Sequence, residues 1–347
     1  MADNIDLIWQ QLRATRWDPP AAAGANQERR RTYVMALEQA EQLMRAAGDV
    51  GPAASPLLLF YGLSQAGRAV ASAAAALTGT DWRLEGHGIR VFPGSALAAA
   101  NLADVTTVTD EPTNRGSFAR LSKLLGSPLW PRSAEELVRL EVLWDCLPES
   151  RDLPLRGGSR DRRTVLNVEH RSVSAEPTPI VDTAVWPLPA WVMDAEDGHV
   201  SLAEYLSSFV LGERAPIPYV LASDCGPPRF DRHVDDWGEV TMNWQLPDGL
   251  PWEKAEKMAF LKSFTRQYVG GRLLCPTVTS ERKSVHPLMA WWAVLFVLSM
   301  LARYEPARWN AHIDVDSSPH AVHLERILTQ AREVIPHLVA ETLQEVR

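Results

Sequence analysis

The pattern of apolar and polar positions is helical at both ends of the chain. Apolar residues recur three or four positions apart in residues 3–16, 29–47 and 321–346, and this spacing places them on one face of a helix. Pro336 lies inside the last segment and predicts a kink, because proline removes one hydrogen bond from the helical ladder. Each segment is therefore expected to be an amphipathic helix that buries one side.

The longest apolar run lies within residues 286–308 and is not amphipathic. It follows Pro287, continues without a charge through Ala302 and ends at Arg303. A helix that is apolar on all sides must be buried all round, in lipid or in a protein core. The run is shorter than the roughly 20 residues that cross a bilayer and has no asymmetry of basic flanking residues. It is therefore predicted to be the central core helix of a helical bundle, with no membrane association.

A second helix is predicted over residues 55–77, where Ser55 would be the N-cap and Pro56 the first helical residue. Small residues along it, Gly62 and Gly67 among them, would let another helix approach closely. We expect that neighbour to be the central helix.

The pattern changes in residues 81–280. Short strands are predicted at residues 82–91, 104–108, 217–222, 237–244 and 268–279, and within the proline-interrupted stretch 164–193. Helices are predicted at residues 117–125, 134–147, 201–211 and 252–266. The predicted fold class is α+β and predominantly α: a bundle of N- and C-terminal helices, residues 1–80 and 281–347, with residues 81–280 inserted as one continuous α+β middle region.

Charge and composition narrow the functional classes. The 347 residues carry a formal net charge of −8, and the pI is about 5.6, which disfavours a broad basic surface for nucleic acid or anionic lipid. A local basic patch is conceivable at the arginine-rich residues 151–163, although the glycines and prolines there also fit a solvated loop.

Cysteine usage and the N-terminus indicate a cytoplasmic setting. Cys146, Cys225 and Cys275 are odd in number and far apart, which is neither a disulfide framework nor the paired spacing of a zinc site. The first residues lack the basic start and apolar stretch of a secretory signal.

Four segments carry a resemblance to a known family. They are SPLLLFYGLSQAGRA at residues 55–69, GHGI at 86–89, RGSF at 115–118 and HPLMAWWAVLFVLSMLARYEPARW at 286–309. Together they resemble the YaaC-like family of bacterial proteins, while residues 150–280 match by position only. The resemblance implies an architecture and specifies no reaction.

The helical frame also resembles the HEPN superfamily, which consists of helical bundles and includes RNA-cutting members. Their signature is an arginine and a histidine separated by four to six residues on a late helix. Here Arg308 and His312 are separated by three residues, and Arg303 lies farther away. The resemblance therefore extends to the arrangement of helices and leaves the nuclease chemistry without its motif.

Four residues, Arg68, His87, Arg303 and Glu305, are candidates for an anion site. Arg303 emerges from the apolar helix beside Glu305, where a fixed guanidinium would suit a carboxylate or phosphate, or would cap the helix and pair with an acid. His87 lies between two glycines that would let a ligand approach, although a plain hairpin turn has the same sequence. Arg68 would face the central helix and join Arg303 at a shared site, or extend to the surface.

A metal site is the weakest candidate, and neither a metal nor a cofactor is predicted. His312, Asp314, Asp316, His320 and His323 combine imidazole and carboxylate groups, but a polar, capped loop explains the same residues. The nucleophile-elbow, P-loop and dinucleotide-binding motifs are absent from the sequence.

Two hypotheses follow. In the first, the protein is not necessarily an enzyme and binds a partner protein, another copy of itself or a small anionic ligand at Arg68, His87, Arg303 and Glu305. In the second, it is a HEPN-like enzyme that cleaves RNA in a defence or stress system, with catalytic residues among His87, Arg303, Arg308 and His312. Acidic charge and the missing signature favour the first.

Overall fold

A computed structural model describes residues 2–158, 160–171, 180–210, 219–221, 230–232, 237–246 and 253–347. The chain forms two compact units, Met1–Gly157 with Val285–Arg347, and Gly158–Ser284. Of the described residues, 52% are helical and 15% lie in strands, and these strands form two antiparallel sheets. The predicted class, α+β and predominantly α, is confirmed.

The α-helices and strands are numbered in chain order. The helices are α1 (Ala2–Trp17), α2 (Ala21–Gly24), α3 (Gln27–Ala46), α4 (Ser55–Ala73), α5 (Ser117–Leu124), α6 (Leu140–Trp144), α7 (Ala190–Met193), α8 (Gly198–Leu206), α9 (Lys254–Phe264), α10 (Pro287–Tyr304), α11 (Pro306–Ile313) and α12 (Ala321–Glu345). The strands are β1 (Ile89–Val91), β2 (Thr106–Thr109), β3 (Val138–Arg139), β4 (Leu166–Arg171), β5 (Ile180–Leu188), β6 (Tyr219–Leu221), β7 (Phe230–Arg232), β8 (Gly238–Gln245), β9 (Arg266–Tyr268) and β10 (Gly271–Leu274).

The apolar helix α10 lies in the core of the first unit, where it contacts α4, α5, α6, α11 and α12. By length and composition its 18 residues would suffice to cross a membrane, but 78% of them are buried within the protein. Such burial explains an all-apolar surface without lipid. In the same unit, α4 also contacts α12.

Gly67 permits the close approach of α4 and α10. A Cβ added at this position would lie 2.4 Å from Cζ3 of Trp292 on α10, well inside van der Waals contact. Gly62 has a different role, because its nearest neighbour is Met44 of α3, at 3.2 Å. Only Gly67 therefore serves the predicted helix pair.

The start of α4 differs from the prediction. Ser55 is not the N-cap: the helix begins at Ser55 itself, after Ala54, and no side chain caps it. The Ser55 hydroxyl instead donates to the carbonyl oxygen of Ala47 at the end of α3. The serine therefore ties two consecutive helices together.

Residues 134–147 were predicted as one helix, and this prediction is wrong. Glu135 adopts a left-handed backbone with φ of 55°, which interrupts a helix. Val138 then pairs with Thr107 in the small sheet β1-β2-β3, so only α6 remains helical. Sheet pairing overrides the local helical preference here.

Two further differences concern the segments next to the family motifs. The predicted strand at 82–91 is reduced to Ile89–Val91, and α11 was not predicted at all. Pro306 begins α11, because proline is tolerated in the first helical turn. Trp309 anchors this helix, since the ring is buried and its Nε1 donates to the carbonyl oxygen of Pro52 at 3.1 Å.

The second unit is built on an antiparallel sheet with the order β6-β8-β5-β4-β10-β9, and β7 also pairs with β8. Its apolar face is covered by α8 and α9, whose Tyr205 and Phe264 belong to one buried cluster with sheet residues such as Trp244. The Trp244 Nε1 donates to Oγ1 of Thr183 at 2.7 Å, which satisfies a buried polar group.

Of the cysteines, Cys146 in the first unit and Cys275 in the second are buried thiols that form no disulfide. Burial raises the pKa of the Cys275 thiol to about 12, so this thiol is unreactive at neutral pH. Cys225 lies outside the described residues, as do parts of the predicted strands at 164–193 and 217–222.

Candidate functional site

His87 is held in a turn that is fixed to the N-terminus of α5. The backbone N–H of Phe118 donates to the carbonyl oxygen of His87 at 2.9 Å, and the hydroxyl of Ser117 donates to the carbonyl oxygen of Gly86 at 2.7 Å. The GHGI and RGSF segments are therefore one structural element.

Only glycine fits on the other side of His87. Gly88 has a φ of +75°, and a Cβ there would lie 2.7 Å from the carbonyl carbon of Gly116. A Cβ at Gly116 would in turn lie 2.4 Å from Cα of Gly88. The two backbones touch because neither residue has a side chain, and this contact sets the position of His87.

The imidazole ring of His87 lies against two aromatic rings of the core. Its centroid is 5.4 Å from Phe60 of α4 and 5.9 Å from Phe296 of α10. Both phenylalanines are buried, whereas His87 itself is exposed. The histidine thus covers the α4–α10 contact with one face and presents its remaining surface to solvent.

The electrostatic environment of His87 is positive. Desolvation by the surrounding protein lowers the pKa of the imidazole from its ordinary value of 6.5, and the charges of Arg303 and Arg68 lower it further. These effects favour the neutral form of His87 over the imidazolium. The guanidinium groups of Arg68 on α4 and Arg303 on α10 therefore both act on this imidazole.

Each arginine is positioned by a neutral partner. Nη1 of Arg303 donates to the hydroxyl of Tyr61 at 3.1 Å, and its guanidinium carbon lies 5.0 Å from the ring centroid of Tyr304. Nη1 of Arg68 donates to Oε1 of Gln65 at 3.0 Å. Among the residues that the structure describes, no carboxylate lies within ion-pair distance of either arginine. We call Arg68, His87 and Arg303 the anion cluster.

Glu305 does not belong to this cluster. Its backbone N–H donates to the carbonyl oxygen of Leu301 at 2.9 Å, where α10 ends and α11 begins. Its carboxylate faces Nε of Arg308 at 3.6 Å. Glu305 thus compensates the charge of Arg308 and leaves that of Arg303 uncompensated.

Arg308 and His312 form a second, separate pair on α11. Burial lowers the pKa of His312, and the charge of Arg308 adds to this effect. The two residues are one helical turn apart and share a face. Because Arg308 is paired with Glu305, its charge is less available to a bound anion than the charges of Arg68 and Arg303.

The candidate metal ligands are spread along the end of α11 and the start of α12. The ring centroid of His320 lies 6.3 Å from that of His312 and 6.5 Å from that of His323. Asp314 accepts hydrogen bonds from the Ser317 hydroxyl and the Asp316 backbone N–H. The described part of the chain contains no group of three or more His, Cys, Asp or Glu side chains that could hold a metal ion.

Two of the arginines in residues 151–163 form ion pairs with acids distant in sequence. In the first unit, Arg156 pairs with Asp104. In the second unit, Arg160 pairs with Glu204 at 2.8 Å. These ion pairs reduce the positive charge available for a phosphate backbone and fit the alternative of a solvated loop.

Phe60, Phe296, Tyr61 and Gln65 belong to the surroundings of the cluster, although sequence reasoning did not select them. A signal was present for two of them: Tyr61, Gln65 and Arg68 are spaced i, i+4 and i+7 and therefore share one helix face. The aromatic pair had no such signal, since buried phenylalanines are ordinary core residues.

The fold and the cluster define a class: a predominantly helical α+β protein with two guanidinium groups and an imidazole at its central helix pair. The family model of the YaaC-like proteins matches residues 8–343, and the chain belongs to that family. No curated protein and no solved structure matches the chain. The four segments of the sequence resemblance all lie in the first unit, and each contributes residues to the cluster or to the turn that holds it.

Proposed function

We propose that the protein binds a small anionic ligand through the anion cluster. The observation that carries the proposal is the absence, among the described residues, of an acidic partner for Arg68 or Arg303, although both act on the same imidazole. The positive charges of Arg68 and Arg303 repel each other where both act on His87. A bound anion would remove that repulsion.

The chemistry of the three side chains fits a phosphate or a carboxylate. Guanidinium groups donate several hydrogen bonds in a fixed plane and bind such oxyanions strongly. A neutral imidazole supplies one further N–H donor and becomes a second type of cation when it is protonated. An acidic or phosphorylated side chain displayed by a partner protein would meet the same groups.

Titration of the whole protein with inorganic phosphate, followed by phosphorus NMR, tests the proposal. We expect saturable binding that is weakened about tenfold or more by Arg68→Ala and by Arg303→Ala, since a hydrogen bond to a charged group contributes roughly 1.5–3 kcal/mol. Arg308→Ala is the matched control, because this arginine lies near the same helix end but is paired with Glu305. Equal losses in all three variants, or no saturable binding, would overturn the proposal.

One observation favours a second candidate function, the cleavage of RNA. Desolvation and the charges of Arg303 and Arg68 lower the pKa of His87 and favour its neutral form. A neutral imidazole can take a proton from a ribose 2′-hydroxyl, and two cations can stabilise the pentacoordinate phosphorus that follows. The bond between the 2′-oxygen and phosphorus would form as the bond to the 5′-oxygen breaks. The 5′-oxygen would take up the proton that His87 had removed, and the other RNA fragment would end in a 2′,3′-cyclic phosphate.

Incubation of a labelled RNA with the wild-type protein and with the His87→Ala and His312→Ala variants distinguishes the two functions. Cleavage that His87→Ala abolishes and His312→Ala retains would establish the enzyme at the anion cluster. RNA that stays intact in the presence of a protein that binds phosphate would leave binding as the function.

A further inference from the structure

An open groove of about 420 Å³ lies between α3 and α4 of the first unit. Its principal lining residues are Arg31, Thr32, Met35, Gln39, Gln65 and Arg68. The volume lies in the range that small-molecule sites occupy, roughly 300–1,000 Å³. The groove is therefore large enough for an organic ligand rather than for an ion alone.

Arg68 connects the groove with the anion cluster. It lines the groove and also acts on His87. One of its nitrogens, Nη1, donates to Gln65, which lines the groove as well. A guanidinium group has five N–H donors, so others remain for an anion. A ligand in the groove would reach the anion cluster through this side chain.

The charge of the groove also favours an anion. Arg31 has no ion pair within the part of the chain that the structure describes. The acid that lines the groove, Glu28, is paired with Arg83 and is compensated by it. Arg31 and Arg68 therefore give the groove a net positive charge, although the protein as a whole is acidic.

The neutral lining indicates what kind of organic group would bind. The amide of Gln39 offers both donors and an acceptor, as the edge of a nucleobase does, and the amide of Gln65 offers its N–H donors while its Oε1 accepts from Arg68. The hydroxyl of Thr32 suits a ribose. Met35 is 49% exposed and presents an apolar, polarisable surface to a flat ring. An acyl chain, in contrast, would meet mainly polar groups.

We infer that the ligand is a nucleoside 5′-phosphate, with its nucleoside in the groove between α3 and α4 and its phosphate at the anion cluster. This inference rests on the proposed function, because the phosphate needs Arg68, His87 and Arg303. It adds the substrate class and a second set of contacts, which can be tested separately.

Isothermal titration calorimetry of the whole protein with AMP, GMP, CMP, UMP, ribose 5-phosphate and inorganic phosphate tests the inference. At least one nucleotide should bind ten times or more as tightly as inorganic phosphate. In the double variant Met35→Ser/Gln39→Ala, this preference should fall to less than threefold while phosphate affinity stays within twofold. Gln42→Ala, on the same helix outside the groove, should keep the preference.

The outcomes separate the two proposals. Phosphate binding without a preference for any of the four nucleotides would overturn the inference and leave the anion cluster standing. A preference that survives the double variant would place the nucleoside elsewhere and would also overturn it. If the wild-type protein binds neither phosphate nor any nucleotide, both the anion-cluster proposal and the nucleotide inference are overturned.

Discussion

The hydroxyl of Tyr61 accepts a hydrogen bond from Nη1 of Arg303 at 3.1 Å and so joins α4 to the last turn of α10. Both side chains are exposed, so the bond contributes little to folding. It fixes instead where the guanidinium points, and orientation of this kind reduces the entropy that a ligand must remove on binding.

Tyr61→Phe should therefore weaken phosphate binding about threefold and change the free energy of unfolding by less than about 0.5 kcal/mol. Phosphorus NMR and urea unfolding measure the two effects. Tyr304→Phe is the control, because its ring lies against the same guanidinium and phenylalanine keeps that ring. If both variants bind like the wild type, Tyr61 has no positioning role.

Binding at His87 should depend on pH. In the ligand-free protein, desolvation and the charges of Arg303 and Arg68 keep the pKa of His87 below its ordinary value of 6.5. A bound anion favours the imidazolium, so the pKa rises on binding and a proton is taken up. Sulfate, whose charge is constant here, should therefore bind more tightly as the pH falls from 8 to 6, by at most about tenfold per unit.

His87→Gln should remove most of this dependence and keep the binding that the arginines provide. Titrations in buffers of different ionisation enthalpy would detect the proton uptake directly. The free energy of unfolding of the ligand-free protein should decrease as the pH falls. The pKa of His87 is lower in the folded than in the unfolded state, so its contribution to stability is present above pH 6.5 and is lost as the pH falls through the folded-state pKa.

The turn around His87 should tolerate alanine at one glycine and not at the other. Gly86 and Gly88 both have positive φ, but a Cβ at Gly86 meets open space, whereas one at Gly88 meets the backbone of Gly116 at 2.7 Å. Gly86→Ala should cost about 1–2 kcal/mol, the cost of a left-handed alanine. Gly88→Ala should cost more and should also weaken phosphate binding, because His87 is displaced. Equal stabilities by urea unfolding would contradict this.

The α4–α10 contact offers a second matched pair. Gly67→Ala would place a methyl group 2.4 Å from the buried ring of Trp292, and we expect a loss of about 1–3 kcal/mol from overpacking. A Cβ at Gly62 would lie 3.2 Å from Cγ and Cε of Met44 and 3.3 Å from Cβ of Leu43, so these neighbours must shift by only a few tenths of an ångström. Because alanine is favoured over glycine within helices by about 1 kcal/mol, this variant should be close to neutral. Thermal unfolding of both variants would show the difference.

The sequence was sufficient for features that depend on periodicity. The buried helix α10 and the amphipathic helices α3 and α12 were predicted, because apolar residues at helical spacing require these faces to be covered. Arg68, His87 and Arg303 were also selected, on the strength of an arginine at the end of an apolar helix and a histidine between glycines. The change of pattern at residue 81 was visible as well, whereas the first compact unit continues to Gly157.

Features that depend on contacts distant in sequence could not be predicted. The pairing of Val138 with Thr107 converts a helical pattern into a strand, and no local signal indicates that partner. The pairing of Glu305 with Arg308 rather than Arg303 depends on where α11 begins, and α11 itself was missed. The groove requires α3 beside α4 in one particular orientation, which periodicity does not specify.

The buried guanidinium of Arg29 closes the C-terminal end of α4. Its three nitrogens donate to the carbonyl oxygens of Ser72, Ala74 and Leu77 at 2.6–2.9 Å, and its positive charge lies at the negative end of the helix dipole. Arg29→Met keeps the apolar stem and leaves these acceptors without their donor, so we expect a loss of about 2–5 kcal/mol. Arg30→Met is the control, since Arg30 is exposed and its side chain donates a hydrogen bond to the carbonyl oxygen of Trp17 rather than to α4. Urea unfolding together with hydrogen exchange at the α4 amides measures both variants, and the protection of α4 should fall in Arg29→Met alone. Equal protection in the two variants would mean that solvent or another donor replaces the arginine at this helix end.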